Sequence, residues 1–294
     1  MDSLKKKILF IINPVSGIGR QRIVERLAKQ YLDKEKFDYS FAYSEYAGHA
    51  IEIAKQAVDE QLDIVVAVGG DGSVNEVVSS IVNTPLALAV IPTGSGNGLA
   101  HHLKIPLAVK KALKVINNNK TISIDTASFQ GKTFASVSGV GFDAKIAQEF
   151  SQTKLRGFIS YLRLVIREYF MYKPLEYSFL LDGKELQSKA LFVTFANSNQ
   201  FGYNMKVSPK ASLTDGLLDV CIMQKFPPWY TISIIYYIIM GKMNHCKYLR
   251  IYQAKKVRVK CEAEEMTHID GDPLEIAVDI KVEIFPASLK VIVP

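Results

Sequence analysis

The sequence predicts an α/β domain with a parallel sheet, followed by a second, mainly antiparallel β domain. Three observations carry this. Up to Asp125, short apolar and β-branched runs alternate with helical patterns; Gly-rich polar clusters follow several of those runs directly; beyond Asp125, strand-like runs are joined by hairpin signals such as Asp182-Gly183. Parallel strands joined by helices are covered on both faces, and ligands meet such sheets at the carboxyl ends of the strands.

Ile8 to Ile12 is the first strand; its five apolar residues after Lys5-Lys6-Lys7 are too few for a signal peptide's apolar region. A helix with Ile23, Val24, Leu27 and Tyr31 on one face follows, then strand Tyr39 to Tyr43, helix Ala47 to Glu60, strand Ile64 to Val68, helix Ser73 to Val82 and strand Leu86 to Ile91. In the second region Tyr177 to Leu181 and Ala190 to Ala196 read as strands about the Asp182-Gly183 turn, and Val278 to Val293 as two strands broken by Pro286. Arg156 to Tyr172 and Trp229 to Met240 interrupt the β pattern. The second of these is apolar but well short of the ~20 residues a spanning helix needs.

Ordinary apolar and charged fractions exclude a disordered or fibrous chain, and 294 residues suffice for two cored domains. The net charge of +7 is compatible with nucleic acid, anionic lipid or solubility alone. Three widely spaced cysteines, Cys221, Cys246 and Cys261, form neither a disulfide framework nor a CxxC zinc site, and they fit a reducing cytosol.

The chemistry concentrates in three polar loops. Gly69-Gly70-Asp71-Gly72-Ser73 follows a buried strand and opens a helix. Its glycines let backbone N–H groups approach an anion at a helix N-terminus, although a tight turn with Ser73 as N-cap accounts for the same residues. Asn75 and Glu76, in the first helical turn, are placed to reach a nucleotide or a metal-bound water. Pro92-Thr93-Gly94-Ser95-Gly96-Asn97-Gly98 follows the next strand, and Asn13-Pro14-Val15-Ser16-Gly17 follows the first, so three such loops converge on one sheet edge. Neither GxxxxGK[ST] nor GxGxxG with a downstream acid is present, which turns the reading away from Walker NTPases and dinucleotide-binding Rossmann proteins.

Asn13-Pro14 with Ser16-Gly17, then GGDGSVNEV, then PTGSGN, resembles the catalytic domain of the diacylglycerol and sphingosine kinase family. Thr214 to Asp219 and Asp270-Gly271-Asp272 stand where that family carries DGxLD and DGE. The resemblance implies a Rossmann-like N-terminal α/β domain over residues 1–125, completed by about 282–294, and a C-terminal antiparallel β-sandwich domain over 126–281. It implies ATP at the Gly loops, through Asn13, Pro14, Ser16, Gly17, Ser44, Gly69, Gly70, Asp71, Gly72, Ser73, Asn75, Glu76, Gly94, Ser95, Gly96 and Asn97. It also implies transfer to a lipid hydroxyl in the interdomain cleft, with Asp272 as base, Asp270 beside it, and Asp71 supporting Mg²⁺ or nucleotide. A structural Mg²⁺ maps onto the carbonyls of Ser212 and Leu217 and the carboxylate of Asp215, with Asp125 in the surrounding acidic network.

Two departures stand out: Gly98 where many bacterial members have Asp, and Asp272, one methylene shorter than the usual Glu. Ser73 and Ser95 replace threonines but keep a hydroxyl.

In Arg156 to Tyr172, Ile159, Leu162, Val165, Ile166, Tyr169 and Phe170 form an apolar face that either packs into a core or borders an acyl chain. Phe226 to Met240 is aromatic as membrane-interface segments are, or is core. Asp143 reads as a helix cap; by resemblance it is a lipid head-group contact. His49, His101 and His102 receive no chemistry.

The expectation is therefore a cytoplasmic lipid kinase, peripherally associated with the membrane, using ATP and Mg²⁺ and no nucleic acid, with β edges that leave room for a homodimer. A GGDG-type kinase of a soluble nucleotide such as NAD, and a catalytically impaired lipid-binding protein, are the alternatives.

Overall fold

The structure, a computed structural model, describes residues 5–16, 19–152, 158–202 and 205–294. The chain divides into two compact units, Met1–Thr126 with Pro286–Pro294, and Ala127–Phe285.

The first unit is built from β1 (Lys6–Ile12), α1 (Val24–Tyr31), β2 (Phe37–Tyr43), α2 (His49–Asp59), β3 (Ile64–Gly69), α3 (Asp71–Ile81), β4 (Ala87–Pro92), α4 (Gly98–His102), α5 (Val109–Asn118) and most of β5 (Thr121–Phe129). Its strands are parallel in the order β2-β1-β3-β4, with Ile8 opposite both Tyr39 and Ile64, and Ile64 opposite Ala87. β3 and β4 are buried along their whole lengths, because helices cover a sheet of this kind on both faces. Helix α1 packs with α5 and α2 with α3. Ile23 is a correction: it lies ahead of α1 and is exposed, while Val24 and Ala28 face the core.

The second unit holds β6 (Lys132–Phe134), β7 (Val137–Gly141), α6 (Phe142–Gln152), α7 (Phe158–Met171), β8 (Leu175–Leu181), β9 (Lys184–Ala190), β10 (Phe192–Ala196), β11 (Leu218–Met223), α8 (Thr231–Ile239), β12 (Leu249–Ala254), β13 (Lys256–Ile269) and most of β14 (Asp272–Ile292). The strands from β12 through β11, β10, β7 and β13 to β14 are antiparallel neighbours. Alternation along them feeds two cores. Leu218, Val220 and Ile222 join Phe195, Phe179 and Val259, whereas Cys221 and Met223 join Phe142, Leu164 and Ile234 beneath the helices.

Three sequence expectations need correcting here. The Asp182-Gly183 turn, with φ of 47° and 86°, joins β8 to β9, not to Ala190–Ala196; that run is the end of β9, then Leu191, then β10. Pro286 does not end a strand: β14 continues through it, and what changes is the partner. Its ladder with β13 ends at Glu283, its pairing with β4 starts at Lys290, and between them Asp125 Oδ1 accepts the Ala287 N–H at 2.7 Å. On α7 the core face is Leu164, Glu168 and Tyr169, while Ile166 and Phe170 are exposed; the side chains of Ile159 and Leu162 lie outside the described residues. Glu168 is tolerated in that face because Lys145 Nζ lies 2.8 Å from its carboxylate and, with Arg167, lowers it from the usual carboxylate range.

Candidate active site

Between β1 and β3 the parallel sheet of the first unit reverses its order: the chain leaves β1 for β2 on one side and returns to build β3 and β4 on the other. Loops at the carboxyl ends of such strands part and leave a crevice. The three glycine-bearing segments lie there and are tied to one another. Asn13 Nδ2 donates to Ser73 Oγ at 2.9 Å, and the hydroxyls of Ser16 and Thr93 are 2.8 Å apart. Within its own loop Asn13 Oδ1 accepts the Val15 N–H at 3.0 Å, and Gln21 Nε2 donates to the Pro14 carbonyl at 2.6 Å. Ser44 is buried at the end of β2, its N–H on the Ile12 carbonyl at 3.0 Å.

Helix α3 begins at Asp71, with Gly70 as its extended N-cap, so Ser73 is not the cap the turn reading offers. Gly72 sits in its first turn. The Asp71 carboxylate reaches across to the third loop: Oδ2 accepts the Asn97 N–H and Oδ1 the Gly98 N–H, each at 2.7 Å. Asn97, left-handed at φ 53°, and Gly98 start α4, and their N–H groups are buried donors that need such a partner. Ser95 is exposed and Gly96 half-buried between Gly94 and this start. Glu76 Oε1 accepts the Gly48 N–H at 2.9 Å. Gly17 lies outside the described residues.

Close approach explains Gly94: a Cβ there would stand 2.3 Å from Gly70 Cα, so the second and third loops touch backbone to backbone. Asn75 Oδ1 and Asn97 Oδ1 are buried with no hydrogen-bond partner. The residues present therefore fit a nucleotide. Glycine-lined backbone suits phosphates, and orphaned buried acceptors suit ribose hydroxyls or the waters of a cation.

In the second unit Asp270 and Gly271, with φ of 49° and 88°, form the two-residue turn from β13 to β14, and Ile269 pairs with Asp272. Asp270 pins this turn to β7, its N–H donating to the Val137 carbonyl and its Oδ1 accepting the Val137 N–H, both at 2.8 Å. Asp272 is exposed at the start of β14.

Asp143 lies in the first turn of α6. Its Oδ1 accepts the Ala144 N–H at 2.8 Å, its Oδ2 accepts the Thr194 hydroxyl at 2.8 Å, and His268 Nε2 is 3.3 Å from Oδ2. Gly139 makes room for this group, since a Cβ on it would lie 2.4 Å from Asp143 Oδ2 and 2.7 Å from His268 Nε2. Nearby, Tyr172 donates to Glu265 Oε2 at 2.7 Å. Burial holds the Glu265 carboxyl above its usual range; the Tyr172 bond opposes this, and the Asp143 charge adds to it.

The loop carrying Ser212, Asp215 and Leu217 is locally bonded, with Asp215 Oδ1 accepting the Leu217 N–H at 3.1 Å and Ser212 Oγ the Thr214 N–H at 3.2 Å. One carboxylate with main-chain carbonyls suits a magnesium ion that keeps most of its waters. Among the described residues no group of three or more His, Cys, Asp or Glu side chains gathers.

Sequence reasoning missed three residues: Thr93, Thr194 and His268. Thr93 sits inside the third loop, where its burial was not legible. The only signal for His268 is its place at the end of a strand, two residues before Asp270 in the turn that carries the paired carboxylates.

Residues 7–129 match the model of the diacylglycerol kinase catalytic domain, and residues 135–293 that of the YegS C-terminal NAD kinase beta sandwich-like domain. A diacylglycerol kinase of Bacillus subtilis (strain 168) is 28% identical over 276 residues, 91% of this chain and 90% of that protein. One from Mycobacterium tuberculosis H37Rv is 26% identical over 296 residues, 98% of this chain and 95% of that protein. The crystal structure of a putative diacylglycerol kinase from Bacillus anthracis str. Sterne superposes with a TM-score of 0.79 at 19% identity, covering 99% of this chain and 98% of that one, which establishes the shared fold. With the two domain models matched in order along nearly the whole length, the chain belongs to the diacylglycerol kinase family, a family of lipid kinases.

Proposed function

We propose that this chain transfers the γ-phosphoryl group of ATP to the hydroxyl of a lipid alcohol, such as a diacylglycerol or a sphingoid base, presented at a membrane surface. The observation that carries this reading is the closure of three polar loops over the carboxyl ends of β1, β3 and β4, through the Asn13–Ser73, Ser16–Thr93 and Asp71–Gly98 bonds. Phosphoryl transfer asks the protein chiefly for positioning and for stabilisation of charge. The backbone N–H groups around Gly70 and Gly94 cradle the phosphates. Asn75 and Asn97 supply acceptors that nothing within the protein satisfies.

Asp71 acts here by holding the third loop against the second. Of the two carboxylates in the Asp270-Gly271-Asp272 turn, Asp272, exposed at the start of β14, takes the proton of the attacking hydroxyl. Asp143, oriented by Thr194 and His268, binds a hydroxyl or amine of the head group. Mg²⁺ supplies charge neutralisation at the phosphates when bound, and the loop with Ser212, Asp215 and Leu217 holds a structural ion. Among the described residues no helix is long and apolar enough to cross a membrane.

The test is transfer of label from γ-labelled ATP to diacylglycerol, sphingoid base, ceramide and long-chain prenol in detergent micelles with Mg²⁺, with NAD as a separate acceptor. Labelled lipid that disappears in Asp272→Ala supports the proposal, and its identity names the substrate. Label on NAD alone, or bound ATP with label on nothing, overturns it.

A further inference from the structure

Helix α8 is apolar on both sides. Ile234 is buried, and Tyr230, Tyr237 and Ile238 are partly buried against the core shared with α6 and α7. At 100° per residue the opposite side of α8 carries Ile232, Tyr236 and Ile239, with exposures of 78%, 50% and 61%; Trp229, in the 3-10 turn Pro228–Tyr230 that leads into the helix, and Met240 at its C-terminal end are exposed at 78% and 54%. Apart from the phenol groups of Tyr236 and Tyr237, Thr231 and Ser233 are the only polar side chains in the helix, and it carries no charge. A helix apolar all round is ordinarily enclosed, and one whose outer stripe is Trp, Ile and Tyr has a partner.

Charge identifies that partner. Residues 220–261 contain eight Lys or Arg and no Asp or Glu. Four of the eight, Lys225, Lys242, Lys247 and Arg250, are exposed on the segments flanking α8. The lysines lie over aromatic rings at its border: Lys242 Nζ is 5.8 Å from the Tyr236 ring, and Lys247 Nζ is 5.3 Å from that of Tyr230. The C-terminal turn of α7 adjoins the start of this segment through the Tyr169–Phe226 stack, 4.8 Å between centroids, and adds exposed Phe170 and Met171. An apolar stripe with an indole at one end and a rim of one charge sign matches the interface of an anionic bilayer. A second copy of the chain would bring two basic rims together.

We infer that the outer face of α8 is a membrane-docking surface for anionic lipid. Trp229, Ile232 and Ile239 insert at the level of the acyl boundary, while Lys242, Lys247 and Arg250 lie against the head groups. This deepens the lipid-kinase reading and rests on it only for its biological purpose.

The experiment is co-sedimentation of the full chain with vesicles of phosphatidylcholine alone or mixed with phosphatidylglycerol, for the wild type, Trp229→Ala/Ile232→Ser/Ile239→Ser and Lys242→Gln/Lys247→Gln. Each is also assayed on a short-chain, monomerically dissolved diacylglycerol. The wild type is expected to bind the phosphatidylglycerol vesicles, and added salt to weaken binding. The apolar triple variant should lose about 10-fold or more in partitioning, and the double lysine variant roughly 5-fold per charge removed. Both should keep an unchanged thermal midpoint and, where the wild type phosphorylates the soluble substrate, unchanged turnover of it. Equal vesicle binding by wild type and triple variant overturns the inference, as does a wild type that ignores vesicles and dimerises through this face in sedimentation velocity. Vesicle binding without phosphorylation of any lipid would instead fail the kinase reading and leave the docking surface standing.

Discussion

His268 joins two elements far apart in the chain: its Nε2 lies 3.3 Å from Asp143 Oδ2, and its Nδ1 accepts the Gly271 N–H at 3.4 Å. Accepting at Nδ1 leaves the proton of a neutral ring on Nε2, directed at the carboxylate. One imidazole thereby sets the first turn of α6 against the Asp270-Gly271-Asp272 turn.

His268 is accordingly a positioning residue. His268→Ala should lower kcat/KM for the lipid by about 10- to 100-fold, since an ~1 Å displacement of a reacting group costs about that much, while the KM for ATP stays unchanged. His268→Gln, which can still donate to Asp143, should recover part of the loss. Steady-state kinetics on both substrates decides it; an equal loss of ATP affinity would assign the residue to general stability.

Asp71 satisfies two buried N–H groups, and a buried donor without a partner costs about 1–3 kcal/mol. Asp71→Ala is expected to destabilise the protein by roughly 2–4 kcal/mol and to abolish turnover, whereas Asp71→Asn, which retains one acceptor oxygen, should lose about half as much stability. Urea unfolding of the two variants provides the comparison.

Gly94→Ala places a methyl group 2.3 Å from Gly70 Cα, so one of the two loops must move. Overpacking of this kind costs about 1–3 kcal/mol. The expected result is a lowered melting temperature with at least ~10-fold weaker binding of a non-hydrolysable ATP analogue, since the displaced backbone is what faces the phosphates. Exposed Ser95→Ala serves as the control and should melt like the wild type.

Glu265 links stability to pH. Its carboxyl is raised by burial, so its protonated form is favoured in the fold; the contribution is fully present below the ordinary carboxyl pKa and is lost as pH rises through the elevated one. Glu265→Gln keeps an acceptor for Tyr172 and removes the ionisation. Its melting temperature should exceed that of the wild type at pH 8, and the difference should shrink toward zero by pH 4. A difference independent of pH would refute the burial argument.

Periodicity and punctuation were enough to read the parallel α/β order and the three polar loops. In a βα repeat every strand-to-helix loop emerges at the same sheet edge, so glycine clusters after Ile12, Val68 and Ile91 are neighbours by construction. The local sequence also determined that Asp182-Gly183 is a two-residue turn. It did not determine which strand that turn leads to, because the run from Lys184 to Ala190 has mixed polarity and becomes a strand by pairing with β8. Nor did it determine what each polar side chain does. Asp71 is drawn to Asn97 and Gly98 and Asp270 to Val137 because buried main-chain donors must be satisfied by whatever acceptor the fold brings near, and His268 meets Asp143 across 125 residues. The pattern of a segment is a property of that segment, whereas the partner of a buried polar atom depends on register and chain closure, which the tertiary structure alone decides.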